Sequence, residues 1–344
     1  MNVHYYDFRP SVLTTNIFLE ILMPMFRVIF CLLFFLVITL QACNEENPIT
    51  SSNEEDEQEC VVIVPDIQYY TNSEERIKYL DAIVDYCKER QDVISFLLQT
   101  GDITNNNQLW QWNNSYRHFF SQLPKSFPVI SCLGNHDYGE NGLSNERQSN
   151  VPAELTPDMD AVMPMSKWDN YLRYVTLENK TLAILSLEFA PRNAVLEWAD
   201  SIIKQNANIP IFILTHAFLN NVGQLYDASN SQNDNLCSQK DYVLGKEYLN
   251  DSKEIFDKII YNNPNVKLII CGHSLSKNYI ECLVKKNVNN DNVYCIMVNY
   301  QHYKDGGAGN IGLLLHSQGY FKLKTFNVIS RTSWGKNIPF ELEI

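Results

Sequence analysis

The heptapeptide Cys60-Val-Val-Ile-Val-Pro-Asp66 joins five apolar residues to a proline and a carboxylate. A short apolar run that is rich in β-branched residues predicts a buried strand. A helical stretch over residues 73–90 follows it, and a second apolar strand is predicted over residues 93–99. Strands and helices that alternate in this way are typical of an α/β fold.

The same alternation continues along the chain. Further strands are predicted over residues 128–132, 172–177, 181–187, 210–215 and 266–271. Further helices are predicted over residues 108–122, 194–205 and 252–261. Beyond residue 277 only strands are predicted, over residues 278–284, 293–299, 311–316 and 320–327. No repeat or second linker interrupts this pattern, so we expect one domain over residues 60–344.

Polar residues stand where five of these strands end. They are Asp66, Asp102, Asn135, His216 and His273. The carboxyl ends of strands in an open α/β sheet converge on one crevice, where ligands bind. Singly, each residue has a simpler interpretation, a turn or a satisfied core histidine. Together they predict a metal site, since carboxylate, amide oxygen and neutral imidazole suit Zn, Mn or Fe.

Five short motifs carry a resemblance to a known family. They are Asp66-Ile67-Gln68, Gly101-Asp102, Gly134-Asn135-His136-Asp137, Thr215-His216 and Gly272-His273. Their order and spacing resemble the D-x-H, G-D, G-N-H-D/E, H and G-H-x-H motifs of calcineurin-like metallophosphoesterases. Pro65-Asp66-Ile67-Gln68, with residues 186–192, 299–301 and 306–307, resembles a secreted bacterial branch whose first motif is P-D-x-Q.

The resemblance implies a calcineurin-like sandwich of two mixed β-sheets flanked by helices, with two divalent cations. Asp102 would bridge the cations. The second site would be completed by Asn135, His216 and His273, and the first site would be held by Asp66 and Gln68. Two cations joined by one carboxylate can clamp phosphoryl oxygens and acidify a water molecule, which suits hydrolysis of a phosphate ester.

The resemblance also implies a group that assists the leaving oxygen. His136 would act there as general acid or as a positive hydrogen-bond donor. Asn105 stands three residues after Asp102, where related enzymes carry a residue that orients this histidine. Asp137 is the alternative partner, although bracing the turn is the simpler role for its carboxylate.

Two positions depart from the family motifs. Gln68 replaces the histidine of the first motif, and Leu275 replaces the second histidine of the last. An amide oxygen can bind a hard cation, but a leucine cannot bind any metal. We therefore expect a tight second site and a weak first site, with waters, Ser274 or Ser276 filling in. Oxygen ligands favour Mn, Mg or Ca over Zn at the weak site.

The sequence says less about the substrate. Residues 220–248 and 137–165 are polar segments expected to overhang the crevice, and Tyr226, Asp227 and Tyr248 are candidates for substrate contact. Glu188 and Arg192 either pair structurally, the interpretation we favour, or Arg192 meets a phosphate. The arginines typical of protein phosphatases in this superfamily are replaced by Asn106, Asn107 and Leu133, which disfavours that role.

The composition argues against a nucleic-acid partner. Lys and Arg number 27 against 40 Asp and Glu, a formal net charge of -13. A protein that binds nucleic acid usually presents a basic surface instead. Any phosphate chemistry of this chain must therefore rely on bound cations.

The first 59 residues have a different composition. An apolar run over residues 26–43 ends in Leu40-Gln41-Ala42-Cys43, which resembles a bacterial lipobox, so we expect residues 1–42 to be a signal peptide. Its start is uncertain, since Met23 and Met25 are alternatives to Met1. Cys43 would carry lipid that anchors an exported lipoprotein to the bacterial membrane, and a plain membrane anchor is the alternative. Residues 43–59 are acidic and predict a disordered tether.

Seven cysteines lie beyond the export segment. They are Cys60, Cys87, Cys132, Cys237, Cys271, Cys282 and Cys295. An odd number does not predict a regular disulfide framework, so we expect buried free thiols. Cys282 and Cys295 flank a turn-like stretch and are the one pair that could form a disulfide.

Two functions from different classes remain open at this stage. The first is hydrolysis of a phosphomonoester or phosphodiester that depends on metal. The second is a degenerate, lipid-anchored binding protein that retains one metal site without turnover. Leu275 discriminates between them, because restoring histidine there should increase both metal content and activity only in an enzyme.

Overall fold

Two β-sheets form the centre of the protein, which we describe from a computed structural model. The structure describes residues 58–139, 149–166, 169–242 and 248–344. The first sheet has the strand order β13-β12-β11-β1-β2-β3. Its strands are β1 (Cys60–Val64), β2 (Ile94–Gln99), β3 (Val129–Ser131), β11 (Asn310–Ser317), β12 (Tyr320–Asn327) and β13 (Thr332–Glu341).

The second sheet has the order β4-β5-β6-β7-β8-β10-β9. Its strands are β4 (Ala161–Val162), β5 (Tyr171–Leu177), β6 (Lys180–Leu187), β7 (Ile211–Thr215), β8 (Val266–Cys271), β9 (Ile280–Lys286) and β10 (Asn292–Val298). Strands β6, β7, β8 and β10 run parallel, as do β1, β2 and β3 of the first sheet. The other strands are antiparallel to their neighbours, so both sheets are mixed.

Helices cover the outer faces of the two sheets. The α-helices are α1 (Gln68–Thr71), α2 (Ile77–Glu89), α3 (Leu109–His118), α4 (Asn193–Gln205) and α5 (Ser252–Ile255), and a π-helical turn (Phe256–Ile260) continues α5. The longer helices are amphipathic: α4 buries Val195, Leu196, Ala199 and Ile203, a spacing that matches the helical repeat. Short 3₁₀ turns include Asn135–Asp137 and Gln239–Asp241.

The core lies in two layers of apolar side chains. One fills the space between the sheets and beneath α2 and α3, with Phe96, Phe212 and Ile296 among its buried members. The other lies between the second sheet and α4 with the π-helical turn, and includes Leu185 and Ile259. The predicted α/β sandwich of two mixed β-sheets flanked by helices is therefore confirmed.

Two strands were missed by the sequence patterns. Strand β13 contains Gly335 and Pro339 and pairs only with β12 at the edge of the first sheet. Proline has no N–H to donate to a β-ladder, so within sheets it is tolerated mainly on edge strands. Strand β4 is only two residues long, too short for any period to show. Neither strand has a sequence pattern of its own, because each is stabilised by pairing with its neighbouring strand.

The cysteine predictions need correction in part. All seven described cysteines are free thiols, but Cys237 is exposed and Cys282 only partly buried. Cys282 lies opposite Ile296 and Cys295 opposite Leu283 in the β9–β10 ladder. Since consecutive residues of a strand point to opposite faces, the two thiols lie on different faces and form no disulfide.

Several predictions concern the chain before residue 58. The signal peptide, the lipidated Cys43 and most of the acidic tether lie outside the described residues. Within the described ranges, no helix combines the length and the apolar character needed to cross a bilayer.

Candidate metal centre

The strand-end residues named from the sequence meet at one edge of the sandwich. Strands β1, β2 and β3 end there in the first sheet, and β7 and β8 end there in the second. The backbone N–H of His273 donates to Asp66 Oδ1 at 3.3 Å, and that of His136 donates to Asp102 Oδ1 at 3.0 Å. Residues from both sheets thus line a single site.

Three of these side chains form a group that could hold a metal ion. The ligand atoms of Asp102, His216 and His273 all lie within 4.8 Å of one another. Asp102 Oδ1 is 3.2 Å from His216 Nε2, and His216 Nε2 is 3.2 Å from His273 Nδ1. In the described part of the chain this is the one such group of His, Cys, Asp and Glu side chains.

Backbone carbonyl oxygens fix the orientation of both imidazole rings. His216 donates its Nδ1–H to the carbonyl of Thr100 at 2.7 Å, and His273 donates its Nε2–H to the carbonyl of Cys237 at 2.8 Å. The remaining nitrogens, Nε2 of His216 and Nδ1 of His273, therefore face each other and the Asp102 carboxylate. Metal-binding histidines typically use the second nitrogen in this way.

The acid–base properties of the group reflect these distances. Burial opposes the charged form of His216, but the adjacent Asp102 carboxylate outweighs it and raises the pKa of His216 to about 9. Burial and the charge of His216 lower the pKa of His273 to about 4. Although burial alone would raise it, the pKa of Asp102 is held well below its usual range by His216 and His136.

Among the described residues, four buried amide oxygens have no hydrogen-bond partner, and two of them belong to residues named as ligands from the sequence. These two are Oδ1 of Asn135 and Oε1 of Gln68, on residues that are each only 1% exposed. Burying a polar oxygen without a partner costs free energy unless an ion or a water molecule binds it. Both residues were predicted to be metal ligands, so the donor atoms present fit divalent cations.

The Asp66 carboxylate has a partner that the sequence had not indicated. Asn299, in the loop after β10, donates from Nδ2 to Asp66 Oδ2 at 2.8 Å. The amide of Asn299 is itself fixed, because its Oδ1 accepts from the N–H of Gln301 at 2.8 Å. Burial, together with the nearby Asp102 charge and against the effect of His216, raises the pKa of Asp66 to about 7.

His136 is held by the backbone of Asn105. Its Nδ1 donates to the Asn105 carbonyl oxygen at 2.6 Å, so the predicted neighbour is correct but the side-chain amide is not the contact. His136 is partly exposed, and its Nε2 is left for other partners. Asp137 is buried and accepts from the N–H groups of Ile103, Thr104 and Gly134, so it braces the turn.

The backbone is shaped to bring these residues together. Asp66, Asp102 and His273 have positive φ angles of 20°, 51° and 66°, a conformation that is strained for residues other than glycine. A Cβ at Gly134 would lie 2.1 Å from Asp102 Oδ1, and one at Gly272 would lie 2.4 Å from Asp66 Oδ1. The glycines of the two motifs are therefore required by close approach to the carboxylates.

The family model for calcineurin-like phosphoesterases matches residues 61–277, more than half of the chain. The chain belongs to the calcineurin-like phosphoesterase family. The relatives are distant: the uncharacterized protein YvnB of Bacillus subtilis (strain 168) is 23% identical over 271 residues, which are 75% of this chain and 19% of that protein.

Solved structures are similar at low sequence identity. Purple acid phosphatase PPD1 of yellow lupin (Lupinus luteus) has a TM-score of 0.45 and 11% identity, over 82% of this chain and 53% of the phosphatase. Vacuolar protein sorting 29 of Cryptosporidium parvum has a TM-score of 0.33 and 10% identity, over 83% of this chain and 98% of that one. The chain spans less than two thirds of the length of YvnB and of the lupin phosphatase.

This calcineurin-like phosphoesterase lacks one family ligand. Leu275 is 37% exposed and replaces a histidine of the last motif. The serines that we expected to fill in are engaged elsewhere: Ser274 Oγ bonds the Leu219 carbonyl and Tyr226, and Ser276 Oγ bonds Glu281. Both hydroxyls are therefore engaged by protein groups, and the filling of the first site by water stays a prediction.

Some candidates for substrate contact prove to be structural. Arg192 donates from Nε to Glu188 Oε1 at 2.8 Å and from Nη2 to Glu188 Oε2 at 3.0 Å, so the favoured structural pairing is correct. The hydroxyl of Tyr226 is buried against Ser274, and Tyr248 is an exposed residue that bonds Glu254. The side chain of Asp227 accepts from Ser229 within its own turn.

The segment between His216 and His273 reaches the site through other residues. The Cys237 carbonyl accepts from His273, and Tyr242 packs edge to face on His273 with ring centroids 5.9 Å apart. Phe189, after β6, lies 5.5 Å from the ring of His273 and 5.8 Å from that of His216. Phe189 lies within residues 186–192 of the branch resemblance, but no sequence pattern assigned it or Tyr242 to the metal centre, since only the tertiary fold brings their rings there.

Proposed function

We propose that this calcineurin-like phosphoesterase hydrolyses a phosphomonoester or phosphodiester with the help of two divalent cations. The observation that carries the proposal is the convergence of the Asp102, His216 and His273 ligand atoms within 4.8 Å, next to the unpartnered Oδ1 of Asn135. That donor set supplies one carboxylate, one amide and two imidazoles. Mn, Fe or Zn suits such a mixture of oxygen and nitrogen ligands.

The roles of the residues follow from their positions. Asp102, Asn135, His216 and His273 would hold the second cation, and Asp66, Gln68 and Asp102 would hold the first. Bound cations supply charge that stabilises phosphoryl oxygens and makes a water molecule more acidic. Thr100 and Cys237 keep the two imidazoles in the tautomers that ligation needs.

His136 is the residue that we assign to the leaving group. The Asn105 carbonyl accepts from its Nδ1, so Nε2 is the nitrogen that can face a substrate. A protonated imidazole there donates a hydrogen bond or a proton to the departing oxygen, which lowers the barrier to cleavage of the ester bond. The carbonyl of Asn105 fixes the direction of the ring.

The first cation site is proposed to be the weaker of the two. It has lost the imidazoles expected at Gln68 and Leu275, and the hydroxyls of Ser274 and Ser276 bond other groups. Oxygen ligands alone favour Mn, Mg or Ca. Two full equivalents of metal retained after dialysis would contradict this asymmetry.

The exposed Leu275 supports a second candidate function. A surface-displayed binding protein could retain the second cation as a structural element and lack turnover. Leu275→His separates the two candidates: an enzyme gains metal and activity, whereas a binding protein gains metal alone.

Hydrolysis itself is tested with purified protein, added Mn²⁺ and two chromogenic substrates, p-nitrophenyl phosphate and bis-p-nitrophenyl phosphate. The comparison of the two rates distinguishes a monoesterase from a diesterase. His136→Ala is the control, since it removes the proposed acid without touching a metal ligand. Equal rates for wild type and His136→Ala would remove the catalytic assignment.

The proposal extends to the location of the protein. The Leu40-Gln41-Ala42-Cys43 sequence and the Pro65-Asp66-Ile67-Gln68 motif support an exported bacterial lipoprotein of the P-D-x-Q branch, anchored through Cys43. The net charge of -13 supports a substrate other than nucleic acid. Metabolic labelling with a palmitate analogue in a bacterial host tests the anchor: Cys43→Ala should abolish labelling, and label retained in that variant would refute it.

A further inference from the structure

Tyr242 lies beside His273, one of the residues assigned to the second cation site. It follows the 3₁₀ turn Gln239–Asp241 and is partly exposed. Its ring packs edge to face on Phe189 at 5.1 Å between centroids and on His273 at 5.9 Å. Phe189 is fully buried and also contacts His216. The ring of Tyr242 therefore packs against residues that are themselves held in the core.

The hydroxyl of Tyr242 differs from those of other tyrosines in the core. Tyr226 bonds Ser274 at 2.8 Å, Tyr300 bonds Thr325 at 3.0 Å and Tyr171 bonds the Ser131 carbonyl at 2.8 Å. Among the residues that the structure describes, Tyr242 Oη has no hydrogen-bond partner. Tyr242 is partly exposed, so its hydroxyl is available to a ligand that enters from solvent.

We propose that the Tyr242 hydroxyl donates a hydrogen bond to a phosphoryl oxygen of the substrate. This inference rests on the proposed function, because it takes the second cation site as the place where the phosphoryl group binds. A neutral phenol is a donor that an anionic oxygen accepts well. Tyr242 is thereby a substrate-binding residue, and its ring contacts with His273 and Phe189 hold it beside the second cation site.

The experiment uses the full chain loaded with Mn²⁺, with inorganic phosphate as the probe. Isothermal titration calorimetry measures phosphate binding to wild type, Tyr242→Phe and Tyr261→Phe. The Phe variant keeps the ring that packs on His273 and loses only the hydroxyl. Tyr261→Phe is the matched control, an exposed tyrosine that follows the π-helical turn.

Tyr242→Phe should bind Mn²⁺ as wild type does and bind phosphate about tenfold more weakly, the effect of about one hydrogen bond. Its kcat/KM for p-nitrophenyl phosphate should fall by a similar factor, while Tyr261→Phe leaves both unchanged. Tyr242→Ala, which also removes the ring, should in addition weaken Mn²⁺ binding. That extra effect separates packing on His273 from hydrogen bonding.

Wild-type phosphate affinity in Tyr242→Phe would overturn the inference, as would a failure of the Mn²⁺-loaded wild type to bind phosphate. A wild type that binds phosphate but hydrolyses neither chromogenic ester would instead overturn the proposed function. In that case the phosphate titrations still decide the role of Tyr242. The two proposals therefore fail on different measurements.

Discussion

Replacing Asn299 by alanine should weaken the first cation site selectively. The Asn299 amide donates to Asp66 Oδ2 at 2.8 Å, and Asp66 is the carboxylate that we propose to anchor that site. Partners that orient a metal ligand typically contribute about 10-fold to 100-fold in metal affinity. This factor corresponds to about 1.4 to 2.8 kcal/mol, which agrees with a hydrogen bond to a charged group, about 1.5 to 3 kcal/mol.

The pKa of Asp66 adds to the effect at neutral pH. Burial raises this pKa to about 7, so a cation competes with a proton for the carboxylate. Loss of the Asn299 donor removes stabilisation from the ionised form and should raise the pKa further. The affinity deficit of Asn299→Ala should therefore be larger at pH 6 than at pH 8.

Calorimetric titration of metal-free protein with Mn²⁺ measures this prediction. The tight second site should be unchanged in Asn299→Ala, while the weak site should lose at least about tenfold in affinity. Asn170→Ala is the matched control, since Asn170 also donates from its amide to a buried carboxylate, Glu188 Oε2 at 3.0 Å. Equal weak-site affinities in wild type and Asn299→Ala would refute the reasoning.

Three further predictions concern the same centre. His136→Ala should lower kcat by about 10²-fold to 10⁴-fold at unchanged Mn content. Asn105→Ala should keep a kcat near that of wild type, because the backbone carbonyl that contacts His136 remains. Equal losses of kcat in the two variants would contradict the backbone contact. Leu275→His should increase the Mn retained after dialysis, measured by elemental analysis, and no increase would contradict a missing ligand there. Mn²⁺ affinity at the second site should rise with pH up to about 9, since below the raised pKa of His216 the ion must displace a proton. Calorimetry in buffers of different ionisation enthalpy counts that proton, and affinity that does not change with pH would contradict the assignment.

The fold was predictable where a segment carries its own signal. The runs before Asp66 and Asp102 are short and apolar, so strands β1 and β2 could be placed within one or two residues. The polar residue after each run then marks the ligand edge of the sheet, because parallel strands share one direction. This local reasoning located every residue of the cluster formed by Asp102, His216 and His273.

Contacts between distant segments were not predictable in the same way. Asn299 lies 233 residues from Asp66 in the sequence, and nothing in its own neighbourhood says which carboxylate it meets. Asn105 was named as a side chain, but a backbone carbonyl makes the contact, and every residue type has one. Tyr242 contacts His273 only because the tertiary fold brings their ring centroids to 5.9 Å.

Buried charge explains why this edge of the sandwich is suited to a cation. Asp66 and Asp102 are almost fully buried, and no described Lys or Arg forms an ion pair with either; the one ionic partner is His216, beside Asp102. Isolated buried carboxylates are costly unless they are paired or coordinate a metal. In the metal-free protein that cost appears as retained protons, on Asp66 with a pKa of about 7 and on His216 with a pKa of about 9.

A divalent cation would take the place of those protons at the same ligand atoms. The left-handed backbone at Asp66, Asp102 and His273, which costs about 1–3 kcal/mol at each position, concentrates backbone strain at this edge of the sandwich. Strain of this kind persists only where the surrounding structure imposes it. Such a centre favours metal binding whether or not the protein turns over a substrate. Turnover depends instead on the partly exposed His136, so loss of activity in His136→Ala at constant metal content is the measurement that separates an enzyme from a binding protein.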